Sequence, residues 1–296
     1  MVAEGKRIGF IGLGVMGEPM CRHLASKSGL PVIGHDLSAA PLERLREVGV
    51  AAAGSVAEVV RQADIVFVSL PSGKHLEAVC RGPEGVLANG RAGQLFVDLG
   101  TSPLDLTRAL AQDFAVAGMD YVDAPVARTR AAAEAGTLAI TVGATPAHYE
   151  VVEPLLRCFA SEVTHCGPVS SGQVVKILNN MVVVGTVVAL SEAAAIASGA
   201  GIDATALFET FAKGSADSFA LRNHGLKAVA PASFPEKVFP TDYMLKDMGY
   251  ALAMAADAGL EVPSADYAAS LLEKASADGM GAAYWPIIST LYRPAE

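Results

Sequence analysis

A cluster of polar residues interrupts an otherwise apolar helical pattern in the segment SSGQVVKILNNM. Gly172, Lys176, Asn179 and Asn180 lie there at positions i, i+4, i+7 and i+8, which places them on one face of a helix. Unpaired buried polar groups cost about 1–3 kcal/mol each, so these side chains need partners. One explanation is structural: the lysine extends to solvent and the amides bridge helices. The other is chemical: a buried ammonium donates a proton to an oxygen that becomes negative when a carbonyl is reduced.

A glycine-rich turn is the second chemical signal. The strand pattern RIGFI runs into GLGVMG and then into the helical run EPMCRHLASK, which gives Gly12, Gly14 and Gly17 in GxGxxG spacing. The first glycine permits a tight turn, the second lets the backbone approach a pyrophosphate, and the third lets helix and strand pack closely. Leu13 and Met16 belong to the same turn. The sequence therefore predicts a dinucleotide-binding loop here.

The end of the next strand pattern indicates which dinucleotide is bound. VIGHD ends in Asp36, nineteen residues after Gly17, where an acidic side chain receives the hydroxyls of the adenosine ribose. An aspartate at this position repels a 2′-phosphate, so NAD is the predicted cofactor and NADP is less favoured. Arg44 and Arg46 lie nearby and keep NADP open as an alternative.

Two later strand ends supply further candidate cofactor contacts. VSLPSG and VDLGTS each place small polar residues or a proline at the carboxyl end of a predicted parallel strand, where ligands of such sheets bind. Leu70, Pro71 and Thr101 are therefore predicted to contact the cofactor.

With a positive nicotinamide nearby, Lys176 can also act as a base, provided that the ring and burial lower its pKa from the ordinary value of about 10.4.

The elements that must position these residues follow from the pattern of apolar runs. RIGFIG, VIGHD, DIVFVSL, QLFVDL and MDYVDAP are typical of strands and alternate with helical segments, which predicts an α/β fold with a Rossmann-type doubly wound parallel sheet. After Pro168 the strand signals stop, and we expect a dinucleotide-binding domain over 1–168 and an all-helical substrate and oligomerisation domain over 169–296. Helices are predicted over 170–200, 203–212, 242–258 and 263–278, and irregular structure over 214–242.

Composition limits the class of partner. The 296 residues are 52% hydrophobic and carry a formal net charge of −9, which argues against nucleic acid but leaves a small anionic substrate open. The four cysteines are scattered without metal-ligand spacing, which predicts reduced thiols in a cytoplasmic protein and no metal site.

The stretch MVVVGTVVALSEAAAIASGA, residues 181–200, is long enough to cross a bilayer. It carries Glu192 and follows directly on Lys176 and the two asparagines, so a helix buried between domains or subunits is favoured and no membrane partner is predicted. The run exceeds what one small helical domain easily buries, which predicts a homodimer or homotetramer.

Four motifs in order, GLGVMGEPM, DAPV followed by GTL, GQVVKILNN and MLKD, resemble those of the β-hydroxyacid dehydrogenases over nearly the whole chain. The resemblance implies NAD(P)-dependent oxidation of a 3-hydroxy acid, or reduction of its semialdehyde. It implies that Lys176 is the catalytic residue, that Asn180 helps to hold the substrate, and that Lys246 closes over the cofactor. Without the resemblance, the segment around Lys246 would indicate a surface lysine on an amphipathic helix.

Two related families fit less well. 6-Phosphogluconate dehydrogenases carry histidine at the position of Asn179 and have a far larger second domain, and imine reductases usually lack a lysine at position 176.

The segment DAPVARTR departs from the family pattern. Most members continue DAPV with Ser-Gly-Gly, which cradles the substrate carboxylate, whereas this chain has Ala127, Arg128 and Thr129. It looks closer to the sulfolactaldehyde reductases, a branch with Gly-Arg-Thr in which the arginine grips a sulfonate. A planar guanidinium suits a carboxylate, sulfonate or phosphate, so Arg128 is predicted to be the anion receptor. Thr129 and Asn179 are predicted to bind substrate with it, and Arg130 is expected to be a solvated loop residue.

The predicted reaction therefore interconverts a short anionic 3-hydroxy acid, or a hydroxy-sulfonate, and its semialdehyde. Ala127 replaces the glycine of the sulfonate branch, so carboxylate-specific 3-hydroxyisobutyrate, tartronate semialdehyde or 4-hydroxybutyrate dehydrogenase activity stays open, as does a succinic or malonic semialdehyde substrate. An alternative of another class is a non-catalytic NAD sensor. The presence of Lys176 and Asn180 argues against it, because a sensor does not need a proton donor beside the nicotinamide.

Overall fold

The computed structural model describes residues 5–236 and 238–292. They form two compact units, the first ending at Lys176 and the second beginning at Ile177. The division lies inside a helix that begins at Ser171, shortly after Pro168, and the predicted domain boundary at 168 stays a prediction.

The first unit is built on one sheet. Its strands are β1 Ile8–Ile11, β2 Val32–His35, β3 Ala51–Ala52, β4 Ile65–Val68, β5 Leu95–Asp98, β6 Asp120–Asp123, β7 Val126–Ala127, β8 Leu138–Gly143 and β9 Ala160–Gly167. The strand order is β3-β2-β1-β4-β5-β6-β8-β7, with β9 paired to β8. Strands β1 to β6 pair with one another in parallel, which confirms the predicted Rossmann-type sheet and its five predicted strands.

Helices cover both faces of this sheet. They are α1 Gly17–Lys27, α2 Ala39–Arg46, α3 Val56–Gln62, α4 Gly73–Arg81, α5 Val86–Asn89, α6 Leu104–Val116, α7 Arg130–Ala135 and α8 Pro146–Leu156. Successive strand residues point to opposite faces, so Phe10 packs in one core with Leu24, and Ile11 packs in a second core with Phe114. Burial on both faces explains why β1 and β4 are continuous apolar runs rather than alternating ones.

Four strands that the sequence patterns did not predict, β3, β7, β8 and β9, extend the sheet. Strand β8 runs antiparallel to β6 and β7, and β9 runs parallel to β8 with two register shifts. Strand β7 has only two residues, and β9 has four exposed residues in its sequence ASEVTHCG, so neither carries a strong hydrophobic signal.

Helix α9, Ser171–Gly199, is long and apolar enough by length and composition to cross a membrane. Its most apolar 18-residue window has a mean hydropathy of 1.9, and a third of that window is buried. A single helix of this kind is weak evidence for a membrane span, because the core helix of a water-soluble protein passes the same test. Val182 and Ile196 on α9 are exposed at 61% and 75%. The expected homo-oligomer, the absence of a membrane partner and the cytoplasmic location stay predictions.

The second unit is helical, as predicted. Besides most of α9 it contains α10 Ala204–Phe211, α11 Thr241–Asp257, α12 Pro263–Ala275, π-helical turns at Leu221–Val229 and Ser276–Met280, and a 3₁₀ segment at Trp285–Tyr292. Its core includes Phe208, Met248, Leu272 and Trp285, all buried.

The expectation of irregular structure over 214–242 is wrong for part of that range. Residues Leu221–Val229 form a π-helix although they include asparagine and glycine. Leu221 and Val229 are buried in the core, and the Ser218 hydroxyl accepts the Leu221 N–H at 3.0 Å. Tertiary packing therefore outweighs the weak helical propensity of this segment.

Candidate active site

The three glycines of the predicted dinucleotide loop differ in what surrounds them. Gly12 has a φ of +88°, and a Cβ there would lie 2.2 Å from the Ser69 carbonyl oxygen. A Cβ on Gly17 would lie 2.0 Å from the Gly12 carbonyl oxygen, whereas one on Gly14 would meet nothing within 4 Å. The protein itself thus requires the first and third glycines. The second faces open space, as expected where a dinucleotide approaches the backbone.

A cleft of about 760 Å³ lies beside this loop and is lined by Leu13, Gly14 and Asp36, among others. The Asp36 carboxylate accepts the Leu13 N–H at 2.7 Å and the Ser38 N–H at 2.8 Å. These bonds hold the carboxylate at the carboxyl end of β2, the position that receives a ribose in dinucleotide-binding folds. The loop and the cleft therefore fit NAD.

Arg44, one of the two arginines that left NADP as an alternative cofactor, lines this cleft and is bonded to a carboxylate. Its guanidinium donates to both carboxylate oxygens of Glu18, at 2.8 and 2.7 Å, and this pairing lowers the pKa of Glu18. Arg46 is exposed and does not line the cleft.

The loops after β4 and β5 lie against each other at the same edge of the sheet. A Cβ on Gly100 would lie 3.3 Å from the Leu70 carbonyl oxygen. Leu70 and Thr101 are half-buried, and Pro71 is exposed. The structure thus brings together the two loops that carry the predicted cofactor contacts, and the contacts themselves stay predictions.

Helix α9 begins at the carboxyl end of β6, where Asp123 is fully buried. One carboxylate oxygen of Asp123 accepts the Ser170 N–H at 2.6 Å, and the other accepts the Gln173 N–H at 2.8 Å. A Cβ on Gly172 would lie 2.5 Å from the Thr141 carbonyl oxygen, so the helix starts in direct contact with the sheet. Lys176 follows one turn later and is 8% exposed.

Asp98, at the end of β5, is a second buried carboxylate in this region. It accepts the Gly100 N–H at 2.8 Å, the Tyr121 hydroxyl at 3.1 Å and the Ser102 hydroxyl at 3.2 Å. Burial raises the pKa of Asp98 to about 7 and that of Asp123 to about 6, against the hydrogen bonds that lower both. The sequence patterns did not indicate that Asp98, Asp123 or Gln173 has a role here. Asp123 nevertheless stands in the motif DAPV and Gln173 in the motif GQVVK.

In the second unit, one carboxylate connects two predicted site residues. The side-chain amide of Asn180 donates to Asp247 at 2.7 Å, and the Lys246 ammonium lies 2.9 Å from the other oxygen of Asp247. Lys246 also lies 5.0 Å from the centre of the Tyr250 ring. Asn180 is 5% exposed, whereas its neighbour Asn179 is exposed. Sequence reasoning did not single out Asp247, which stands in the MLKD motif.

Arg128 has a left-handed backbone with a φ of +84°. Its Nη1 donates to the Thr137 carbonyl oxygen at 2.5 Å and to the Ser161 hydroxyl at 2.8 Å, at the beginning of β8 and β9. Gly172 lies near Thr141 and Gly143, at the other end of β8. In this conformation the structure does not bring the Arg128 guanidinium to the start of the lysine helix.

The two residues that follow Arg128 form the start of α7. The Thr129 hydroxyl accepts the Ala132 N–H at 3.4 Å and caps α7, so its role in substrate binding stays a prediction. Arg130 is not a loop residue: it begins α7, pairs with Glu134 at 2.7 Å and lines the cleft beside the glycine loop.

Within residues 5–236 and 238–292, no group of three or more His, Cys, Asp or Glu side chains is arranged to hold a metal ion. Cys21, Cys80 and Cys158 are buried and Cys166 is partly buried, all as free thiols.

Comparison with known proteins assigns the family. The model for the NAD-binding domain of 6-phosphogluconate dehydrogenase matches residues 7–167, and the model for the NAD-binding domain of NADP-dependent 3-hydroxyisobutyrate dehydrogenase matches residues 170–285. The chain belongs to the β-hydroxyacid dehydrogenase family. It is thus an NAD-dependent hydroxyacid dehydrogenase, and the alternative of a non-catalytic sensor is not supported.

Individual relatives match over almost their full length. The chain is 34% identical to 2-(hydroxymethyl)glutarate dehydrogenase of Eubacterium barkeri over 93% of this chain and 91% of that one. It is 30% identical to an NAD-dependent L-serine dehydrogenase of Pseudomonas aeruginosa over 98% of this chain and 99% of that one. A structure of Mycobacterium tuberculosis 3-hydroxyisobutyrate dehydrogenase with L-serine has a TM-score of 0.88 and 30% identity, covering 98% of this chain and 99% of that one. The predicted family, fold and enzyme class are confirmed.

The glycine loop allows its folding role to be separated from its cofactor role. Because a Cβ at position 14 would have no protein atom within 4 Å, we expect Gly14→Val to fold with an unchanged melting temperature but to bind NADH at least about tenfold more weakly. Gly17→Ala forces a side chain onto the Gly12 carbonyl, so we expect it to destabilise the protein. Thermal melts and NADH titration measure both effects. A Gly14→Val variant with normal NADH affinity would show that no dinucleotide approaches this glycine.

The raised pKa of Asp98 predicts a pH-dependent stability. Because the folded state binds this proton more tightly than the unfolded state, the free energy of unfolding falls as pH rises through about 7. Between about pH 5 and pH 8 we expect the free energy of unfolding of the wild type to fall by on the order of 2 kcal/mol more than that of Asp98→Asn. Denaturant unfolding at both pH values measures it, with the exposed Asp105→Asn as control. Equal pH slopes in wild type and Asp98→Asn would contradict the assignment.

Proposed function

We propose that the chain interconverts a short anionic 3-hydroxy acid, or a hydroxy-sulfonate, and its semialdehyde, with Lys176 as general acid and base. The observation that carries this proposal is the environment of Lys176: the side chain is 8% exposed, one turn after the start of a helix that Asp123 fastens to β6. Ligands of open parallel sheets bind at this carboxyl edge, and the glycine loop lies at the same edge.

The chemistry divides between cofactor and protein. When held by the glycine loop and Asp36, the dinucleotide would supply the hydride acceptor for oxidation as NAD and the hydride donor for reduction as NADH. Lys176 takes the hydroxyl proton as a neutral amine during oxidation and, as an ammonium, donates it to the carbonyl oxygen during reduction. Its low exposure keeps water from the amine, which strengthens its interaction with an oxygen that gains negative charge. Asp247 orients the amide of Asn180, which supports the proposed role of Asn180 in holding the substrate.

We further infer that Arg128 receives the anionic group of the substrate. A non-glycine residue with positive φ costs about 1–2 kcal/mol, so an arginine where the Ser-Gly-Gly pattern of the family has glycine points to a role outside folding. Both of its hydrogen bonds go to neutral oxygens, and a sulfonate or carboxylate is the stronger acceptor. An anion can therefore displace Thr137 and Ser161 when the side chain reorients.

The alternative that the substrate carries a carboxylate has support of its own. The Eubacterium barkeri relative is named for 2-(hydroxymethyl)glutarate, which carries two carboxylates, and the Pseudomonas relative for L-serine. The substrate class of the proposal therefore spans hydroxymethyl compounds with a carboxylate as well as those with a sulfonate.

The acid and base role of Lys176 is tested by Lys176→Ala. We expect kcat to fall about 10²- to 10⁴-fold on the best substrate of a screen over 3-hydroxyisobutyrate, glycerate, 4-hydroxybutyrate, threonate and dihydroxypropanesulfonate. NADH affinity should stay within about threefold. Lys213→Ala, which removes an exposed lysine, is the control. Normal turnover of Lys176→Ala would rule out this mechanism.

The receptor role of Arg128 is tested by Arg128→Gly and Arg128→Ala. Loss of a hydrogen bond to a charged group costs about 1.5–3 kcal/mol, so KM for the anionic substrate should rise about 10- to 100-fold with NADH affinity unchanged. Glycine relieves the positive φ, so Arg128→Gly should melt no lower than wild type. Arg157→Ala serves as the control for an exposed arginine. Equal losses on uncharged alcohols would count against the receptor.

A further inference from the structure

Gln173 is a fully buried polar side chain that the proposed reaction does not use. Its Nε2 donates to the Gly100 carbonyl oxygen at 2.8 Å and lies 3.5 Å from an oxygen of Asp98, and its Oε1 accepts the Ser102 N–H at 3.1 Å. Its backbone N–H donates to Asp123 at 2.8 Å. One residue in the first turn of α9 is therefore bonded to the ends of both β5 and β6.

The side-chain amide binds the backbone on both sides of Thr101. Gly100 offers a carbonyl and Ser102 an N–H, and only a group with a donor and an acceptor satisfies both. A hydrocarbon at position 173 would leave the buried Ser102 N–H unpaired, at about 1–3 kcal/mol, and would remove the donor to the part-buried Gly100 carbonyl. Gln173 thus fixes the loop that carries a predicted cofactor contact to the helix that carries Lys176.

Asp98 and Asp123 make this connection rigid. Tyr121, Ser102 and the Gly100 N–H hold the Asp98 carboxylate from three directions, and Asp123 holds the helix backbone. Lys176 lies three residues after Gln173, and residues at i and i+3 are neighbours on a helix surface. A rotation or shift of the first turn therefore moves the lysine directly, and a misplacement of about 1 Å in a reacting group costs about 10²-fold in rate.

We propose that Gln173 is a positioning residue, which sets Lys176 relative to the loop at residues 100–102 and thereby determines kcat. This inference rests on the proposed acid and base role of Lys176. Gln173 acts through the lysine and contacts neither substrate nor reacting atoms in this role.

A double-mutant cycle tests the inference with Gln173→Leu, Lys176→Ala and the variant that combines both. In the wild-type background we expect Gln173→Leu to lower kcat about 10- to 100-fold, with KM and the Kd of NADH changed less than about threefold. In the Lys176→Ala background the same substitution should cost less than about threefold, because the group that Gln173 positions is already absent. Gln112→Leu, the same change at an exposed position of α6, is the control and should leave kcat unchanged.

Each outcome decides between alternatives. Additive losses in the double variant would overturn the positioning role, because Gln173 would then act independently of Lys176. Normal turnover of the Lys176→Ala single variant would instead refute the proposed function, whatever Gln173→Leu does. If Gln173→Leu does not fold, as shown by circular dichroism, Gln173→Asn replaces it in the cycle, since it keeps a donor and an acceptor on a side chain that is one methylene shorter. Wild-type kcat in a folded Gln173 variant would also overturn the inference.

Discussion

Two backbone N–H groups at the start of α9 are satisfied by one buried carboxylate, that of Asp123. The first turn of a helix leaves four such donors without partners, and a residue at the cap usually supplies the acceptor. Here the acceptor comes from the end of β6, 47 residues before Ser170 in the chain. The end of the strand and the start of the helix are therefore one structural piece, and the position of Lys176 depends on it.

Small residues make this junction feasible. A Cβ on Gly143 would lie 2.3 Å from an Asp123 oxygen, and one on Gly172 would lie 2.5 Å from the Thr141 carbonyl, so glycine is required on both sides of the contact. Ser170 adopts a φ of +83° as its N–H donates to Asp123. Burying a carboxylate is unfavourable unless its hydrogen bonds are complete, so the carboxylate, the glycines and the strained serine depend on one another.

Local patterns in the sequence predicted much of this architecture. The five parallel strands, the glycine loop and the long helices follow from β-branched runs, GxGxxG spacing and helical periodicity, which act over a few residues. The pairings that shape the site are not local: Asp98 and Gln173 are 75 residues apart, and no periodicity indicates that they meet. The sequence grouped Gly172 with Asn179 on one polar face, yet Gly172 is buried against the sheet and Asn179 is exposed. The orientation of Arg128 was also beyond prediction, because it depends on Thr137 and Ser161 at the start of other strands.

Charge balance in the cleft gives a physical reason for the choice of cofactor. Its lining includes three arginines, at positions 22, 44 and 130, and three carboxylates, at positions 18, 36 and 134. Arg22 and Arg44 both bind Glu18, and Arg130 binds Glu134, so each guanidinium already has a carboxylate partner. A 2′-phosphate would have to compete with these carboxylates while facing the repulsion of Asp36. The diphosphate that all nicotinamide dinucleotides share needs none of these arginines, because the backbone of the glycine loop and the N-terminus of α1 supply its donors. The same cleft thus favours NAD over NADP although three arginines line it.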